Sequence, residues 1–177
     1  MLDILAKPLS ALAKAKKERN LGNVMMVLLV AAVFFGLSKP FLYRTFSGDA
    51  WGYALLTLLI VFVVTVILGF LVHIIFGILT GKHNFYNAIT PLVYSMYILG
   101  AALLLSSIFR LVPWGIGEGL STITLLYLGG LAIALNWRGY KDFYGTEYVT
   151  VLIMNIIVLA VVCLVAAMEK TLQQFMI

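Results

Sequence analysis

From Trp51 to Thr80 the chain runs through thirty residues without one lysine, arginine, aspartate or glutamate. As a helix this segment would reach about 45 Å. The hydrocarbon core of a bilayer is about 30 Å thick, so the helix must tilt or protrude. Lipid offers the backbone no hydrogen bonds, so a spanning segment satisfies its own and is helical. Four further apolar runs flank this one, Asn23–Ser38, Ala88–Phe109, Leu120–Trp137 and Tyr148–Met168. The expected fold is an all-α membrane protein, a five-helix transmembrane bundle with an N-terminal amphipathic interfacial helix. Its spans fall at about 23–38, 51–80, 88–109, 120–137 and 148–168, between an arm at 1–22 and a short tail at 169–177. Trp51, Trp114, Trp137 and Tyr148 sit at run ends, where amphipathic rings prefer the interface.

Composition agrees. The chain is 63% hydrophobic and 11% charged, against about 25% charged for a soluble domain. Its 177 residues suffice for one domain. The net charge of +5 does not point to nucleic acid, because the basic residues lie beside apolar runs rather than in an aromatic-interleaved patch. A single cysteine, Cys163, excludes an internal disulfide and a cysteine zinc cluster.

Basic residues set the orientation. With the N-terminus in the cytoplasm, the inner segments carry Lys7, Lys14, Lys16, Lys17, Arg19, Lys82, Arg138 and Lys141. The outer ones carry Lys39, Arg44, Arg110 and Lys170. That bias predicts a multi-pass protein with a cytoplasmic N-terminus and, after five spans, an outer C-terminus. A cleaved signal is disfavoured: the small pair Gly36 and Ser38 comes after a long polar lead and before Lys39-Pro40.

The arm "MLDILAKPLSALAKAKKERN" is patterned. Pro8 suits the first turn of a helix. Leu2, Leu5, Leu9 and Leu12 share one face, and Lys7, Ser10, Lys14 and Lys17 another. Such a helix can lie on anionic headgroups, or its lysines can simply fix topology. The stretch "LNWRGYKDFYGTEYV" between the fourth and fifth runs reads as an inner loop. Arg138 and Lys141 hold it inside, and Trp137, Tyr140, Phe143, Tyr144 and Tyr148 sit at headgroup depth as a docking patch. The candidate partner or lipid contacts are therefore Lys14, Lys16, Lys17, Arg138, Lys141 and Tyr144.

Polar groups within the runs are few. His73, Tyr94, Ser95 and Asn155 are the intramembrane candidates. His73 reads first as a packed, hydrogen-bonded histidine and second as a relay or metal ligand. His83, ten residues on, does not form an i,i+4 ligand pair with it. Asn155 reads as interhelical glue. Arg110 and Glu118 flank "LVPWGIG" as a turn staple, and Asp142 with Glu147 is a solvated pair before it is a Mg²⁺ site. The sequence contains no nucleophile elbow, phosphate-cradling glycine loop, His-rich metal motif or nearby carboxylate pair for acid–base work. The expectation is no catalytic residue, no cofactor and no metal. Small residues at Ala88, Ser95, Ala102 and Ser106, and at Gly129, Gly130 and Ala134, predict close packing of the third and fourth spans.

Three blocks in order, "LDILAKPLSALAKAKKERNLG", "GKHNFYNAITPLVYSMYILGAALLLSSIFRLVPWG" and "LLYLGGLAIALNWRGYKDFYGTEYVTVLI", resemble the Yip domain family of Rab-type GTPase-interacting membrane proteins. The first is similar to the family's leucine-rich turn, proline and basic helix. The second is similar to its glycine turn, third span and proline turn, and the third to its last pair of spans. The likeness covers nearly the whole chain. It departs from the eukaryotic members in lacking their long acidic N-terminal region and their aspartate-glycine-proline motif. The resemblance therefore implies a prokaryotic member in the cell membrane and puts Rab-type binding in doubt.

Three functions follow. The first is a non-enzymatic membrane protein that organises membrane or partner proteins through its cytoplasmic face. Its partners would be the bilayer, anionic lipid headgroups, and a protein partner or a second copy, with no nucleic acid. The second is a small transporter or channel, in which His73, Tyr94, Ser95 and Asn155 converge on a midplane cavity. The third is an intramembrane enzyme using Asp142, Glu147 and Arg138.

Overall fold

The computed structural model describes residues 2–43, 48–113 and 115–160. Arg44, Trp114, Cys163, the stretch of the fifth apolar run from 161 to Met168, Lys170 and the tail 169–177 lie outside them. The described residues form helices α1 (Leu2–Ala6), α2 (Pro8–Glu18), α3 (Leu21–Tyr43), α4 (Gly48–Thr80), α5 (Phe85–Phe109), α6 (Ile116–Tyr144) and α7 (Tyr148–Ala160), and no strand. Four of them, α3 to α6, are long and apolar enough to cross a membrane. α7 is apolar and 13 residues long within the described range, Tyr148–Ala160. The described residues are thus all-helical, with the several long apolar helices of a multi-pass membrane protein.

Each long helix is apolar nearly all round, as a lipid-facing helix must be. α5 is the exception in position rather than composition: 61% of its most apolar window is buried, against 17% for α4 and for α6. It is the central helix, flanked by α3, α4 and α6. Its small side chains permit this. Ala88, Ser95, Ala102 and Ser106 are all buried, and Gly100 meets the Ala31 carbonyl of α3 so closely that a Cβ there would lie 3.0 Å from it. Gly36 of α3 meets α4 in the same way, with the Ala54 carbonyl 2.7 Å from a Cβ's place.

α6 packs in a different register from the one the glycines of its centre suggested. Gly129 and Gly130 face open space and Ala134 is exposed. The contact stripe is instead Gly117, Ser121, Ala132, Leu135 and Gly139, all buried. Gly139 closes it: a Cβ there would come within 2.7 Å of Pro91 in α5 and 3.1 Å of Leu12 in the arm.

The fourth connection is shorter than its polarity implied. α6 continues to Tyr144, and only Gly145–Glu147 separates it from α7. The reason is a two-faced pattern. Leu135, Gly139, Tyr140, Phe143 and Tyr144 are buried on one side, while Arg138 and Asp142 pair across one turn on the other, 3.5 Å apart. Gly145, with φ 62°, then adopts the left-handed cap that ends the helix. Tyr144 is consequently 1% exposed and stacks on Phe76 of α4, ring centroids 4.0 Å apart and planes 7° apart. It is a packing residue and is not available as a surface contact.

The arm is two short helices, and Pro8 occupies the first turn of the second, α2, the place its missing N–H suits. Its buried face differs from the leucine stripe. Ile4, Leu12 and Ala15 are buried against the bundle, whereas Leu9 is 49% exposed. The arm lies on α5 and α6 rather than apart from them.

Candidate functional site at the arm end of the bundle

A helix leaves its last four carbonyls without partners. In α6 all of them are met, each from a different part of the chain. The Lys141 carbonyl accepts from the N–H of Gly145 at 2.8 Å. The Asp142 carbonyl accepts from Lys16 Nζ in the arm. The Phe143 carbonyl accepts from Asn87 Nδ2 of α5 at 3.3 Å. The Tyr144 carbonyl accepts from Lys82 Nζ of the α4–α5 loop at 2.5 Å. The two lysines bring positive charge to the negative end of the helix dipole. A second link fastens the arm, since the Tyr86 hydroxyl of α5 donates to the Ala15 carbonyl at 2.6 Å.

Beside this junction lies a cavity of about 600 Å³ between α2 and the end of α6. Lys16, Arg138 and Lys141 line it, with Asp142 as its one acid and Leu9 and Leu12 as an apolar wall. Lys141 Nζ sits 4.1 Å over the Tyr148 ring, a cation–π contact. The Thr146 hydroxyl, also in the lining, is buried and makes no hydrogen bond. Of the sequence-derived contacts, the structure therefore brings Lys16, Arg138 and Lys141 together. Lys14 lies apart, paired with Glu18 at 3.7 Å on the exposed side of α2. Lys17 is exposed on the same helix.

The four intramembrane candidates do not converge. Ser95 and Asn155 line one cavity of about 340 Å³ between α5, α6 and α7, together with Asn136. Asn136 Nδ2 donates to Ser95 Oγ at 3.4 Å. Asn155 donates to the Val151 carbonyl of its own helix at 2.9 Å. Tyr94 lies on another cavity, of about 250 Å³, that includes arm residues Asp3, Lys14 and Glu18.

His73 is packed, but its Nδ1 is buried without a hydrogen-bond partner. The sequence separation hid its neighbour. The turn after α4 brings His83 back, ring centroids 5.9 Å apart, and Phe85 stands edge-on at 6.3 Å. Gly77 makes room, because a Cβ there would collide with the His83 ring. No group of three or more metal-ligating side chains occurs among the described residues. At the far end, Arg110 Nε donates to Ser121 Oγ at 3.2 Å, tying the α5–α6 turn one helical turn beyond Glu118.

No family profile, curated protein or solved structure matches this chain.

Proposed function

We propose that the protein is a non-enzymatic, five-span membrane protein of the Yip-like type that organises membrane or partner proteins through its cytoplasmic face. The carrying observation is the meeting of Lys16 of the arm with Arg138 and Lys141 of α6 around one cavity. In this reading the arm end is cytoplasmic, α7 continues as the fifth span, and the C-terminus is outside. The excess of basic residues at that end supports the orientation, and the apolar character of α7 supports the fifth crossing. The resemblance to the Yip domain family supports the same arrangement, in a prokaryotic cell membrane.

The test is crosslinking in the native membrane, purification in mild detergent and mass spectrometry of what accompanies the protein. A reproducible partner should be lost when Lys14, Lys17, Arg138 and Lys141 are neutralised together, with Lys16 kept because it caps α6. A partner retained by that variant would overturn the role of the basic face.

A second reading, a small transporter, draws on the cavity shared by Ser95, Asn136 and Asn155. Solute flux into liposomes that falls with Asn136→Leu would favour it. Flux no higher than in protein-free liposomes would remove it.

A further inference from the structure

We infer that the cavity between α2 and the end of α6 binds the phosphate group of an anionic phospholipid. This rests on the reading of the arm end as the cytoplasmic face and names the ligand that face would take.

Three cations and one carboxylate line the cavity. The carboxylate is already engaged, since Asp142 Oδ2 is 3.5 Å from Arg138 Nε. That pairing uses one edge of the guanidinium, and its two terminal nitrogens carry four further N–H donors. Lys16 gives one N–H to the Asp142 carbonyl and has two more. The carbonyls that would repel an anion at a helix C-terminus are covered by donors. The Thr146 hydroxyl supplies an independent indication. It lines the cavity, is buried, and lacks any partner, which is costly unless something else accepts its hydrogen bond. A phosphate oxygen would do so.

The apolar wall selects a lipid over a free anion. Leu9 is 49% exposed beside the cations and lines the cavity. A glycerol backbone and the first methylenes of an acyl chain would cover that wall, whereas inorganic phosphate would leave it wet. Gly145, where α6 ends, also lines the cavity, and the end of a crossing helix is where headgroups are met in this reading.

The experiment uses the full-length protein in detergent, exchanged with an excess of phosphatidylglycerol or phosphatidylcholine and repurified, with bound lipid counted by mass spectrometry. Phosphatidylglycerol should be retained in preference. Arg138→Gln with Lys141→Gln should lower its retention by roughly fivefold per charge. Lys14→Gln with Lys17→Gln, outside this cavity, should leave it unchanged. Thr146→Val should lower it severalfold without altering charge, which a diffuse attraction would not produce. Unchanged helical circular dichroism and melting temperature show that each variant folds. Equal retention of the two lipids overturns the assignment, and so does equal loss from both lysine-bearing double variants. Displacement of the lipid by an equal concentration of glycerol 3-phosphate would make the site one for a free phosphate ester and also overturn it. If Arg138→Gln with Lys141→Gln leaves the lipid in place but removes a crosslinked protein, the lipid assignment fails and the broader role of the face stands.

Discussion

The hydroxyl of Tyr86 donates to the carbonyl of Ala15 across 2.6 Å, joining the arm helix to the central helix of the bundle. It removes no charge and bears none, so it separates docking of the arm from the arm's electrostatics. Tyr86→Phe should weaken docking by about 1 kcal/mol. Hydrogen exchange of residues 8–18 would then quicken severalfold while exchange in α5 stays slow. Unchanged exchange in the arm would mean that Ile4, Leu12 and Ala15 hold it alone.

Gly139 and Gly130 lie on the same helix with opposite expectations. Gly139→Ala drives a methyl into the ring of Pro91, a rigid neighbour 2.7 Å from the Cβ position. The cost should be about 1–3 kcal/mol. Gly130→Ala meets nothing within 4 Å and should be neutral or slightly stabilising through its helix propensity. Thermal unfolding in one detergent compares them directly, and equal melting temperatures would contradict the packing register of α6.

Lys82→Met leaves the Tyr144 carbonyl without its charged donor. A bond of this kind contributes about 1.5–3 kcal/mol, so the variant should melt earlier. Lys17→Met, on an exposed face of the arm, should not. Similar melting of the two variants would argue that Lys82 acts only through topology.

Gly77→Ala should displace the His83 ring rather than the helices, because a side chain yields more readily than backbone. Its cost should shrink in a His83→Ala background, where the collision no longer exists. A double-mutant cycle with no coupling would show that the two residues do not touch in solution.

Tyr144→Ala removes a ring stacked on Phe76 and buried to 1% exposure. The expected loss is about 3–5 kcal/mol, with low yield of folded protein. An exposed docking tyrosine would instead tolerate alanine, so the yield and melting temperature decide between the two roles.

The crossing helices were legible because lipid demands long apolar runs, and such runs are unmistakable. Their ends were not, since an amphipathic continuation resembles a loop when read by polarity alone. Residues 135–144 carried the information in their spacing: the buried set Leu135, Gly139, Tyr140, Phe143 and Tyr144 alternates with Arg138, Lys141 and Asp142 at helical period. In the candidate site, the basic residue types were readable, but their partners were not. Lys16 meets Asp142 across 126 positions and Lys82 meets Tyr144 across 62. No local pattern encodes a contact at such range. The approach of His73 to His83 depended on a glycine whose purpose only packing reveals.

The end of α6 has a consequence for synthesis. Lys16, Lys82 and Asn87 all precede the carbonyls they meet, by 126, 62 and 56 residues. A ribosome that has produced the arm and the first three crossings has made the donors and none of the acceptors. The arm can meet α5 through Tyr86 as soon as that helix is made, but its tie to α6 must wait until the end of α6 has left the ribosomal exit tunnel, so a nascent chain stalled earlier should protect the arm from protease less than one stalled well beyond it.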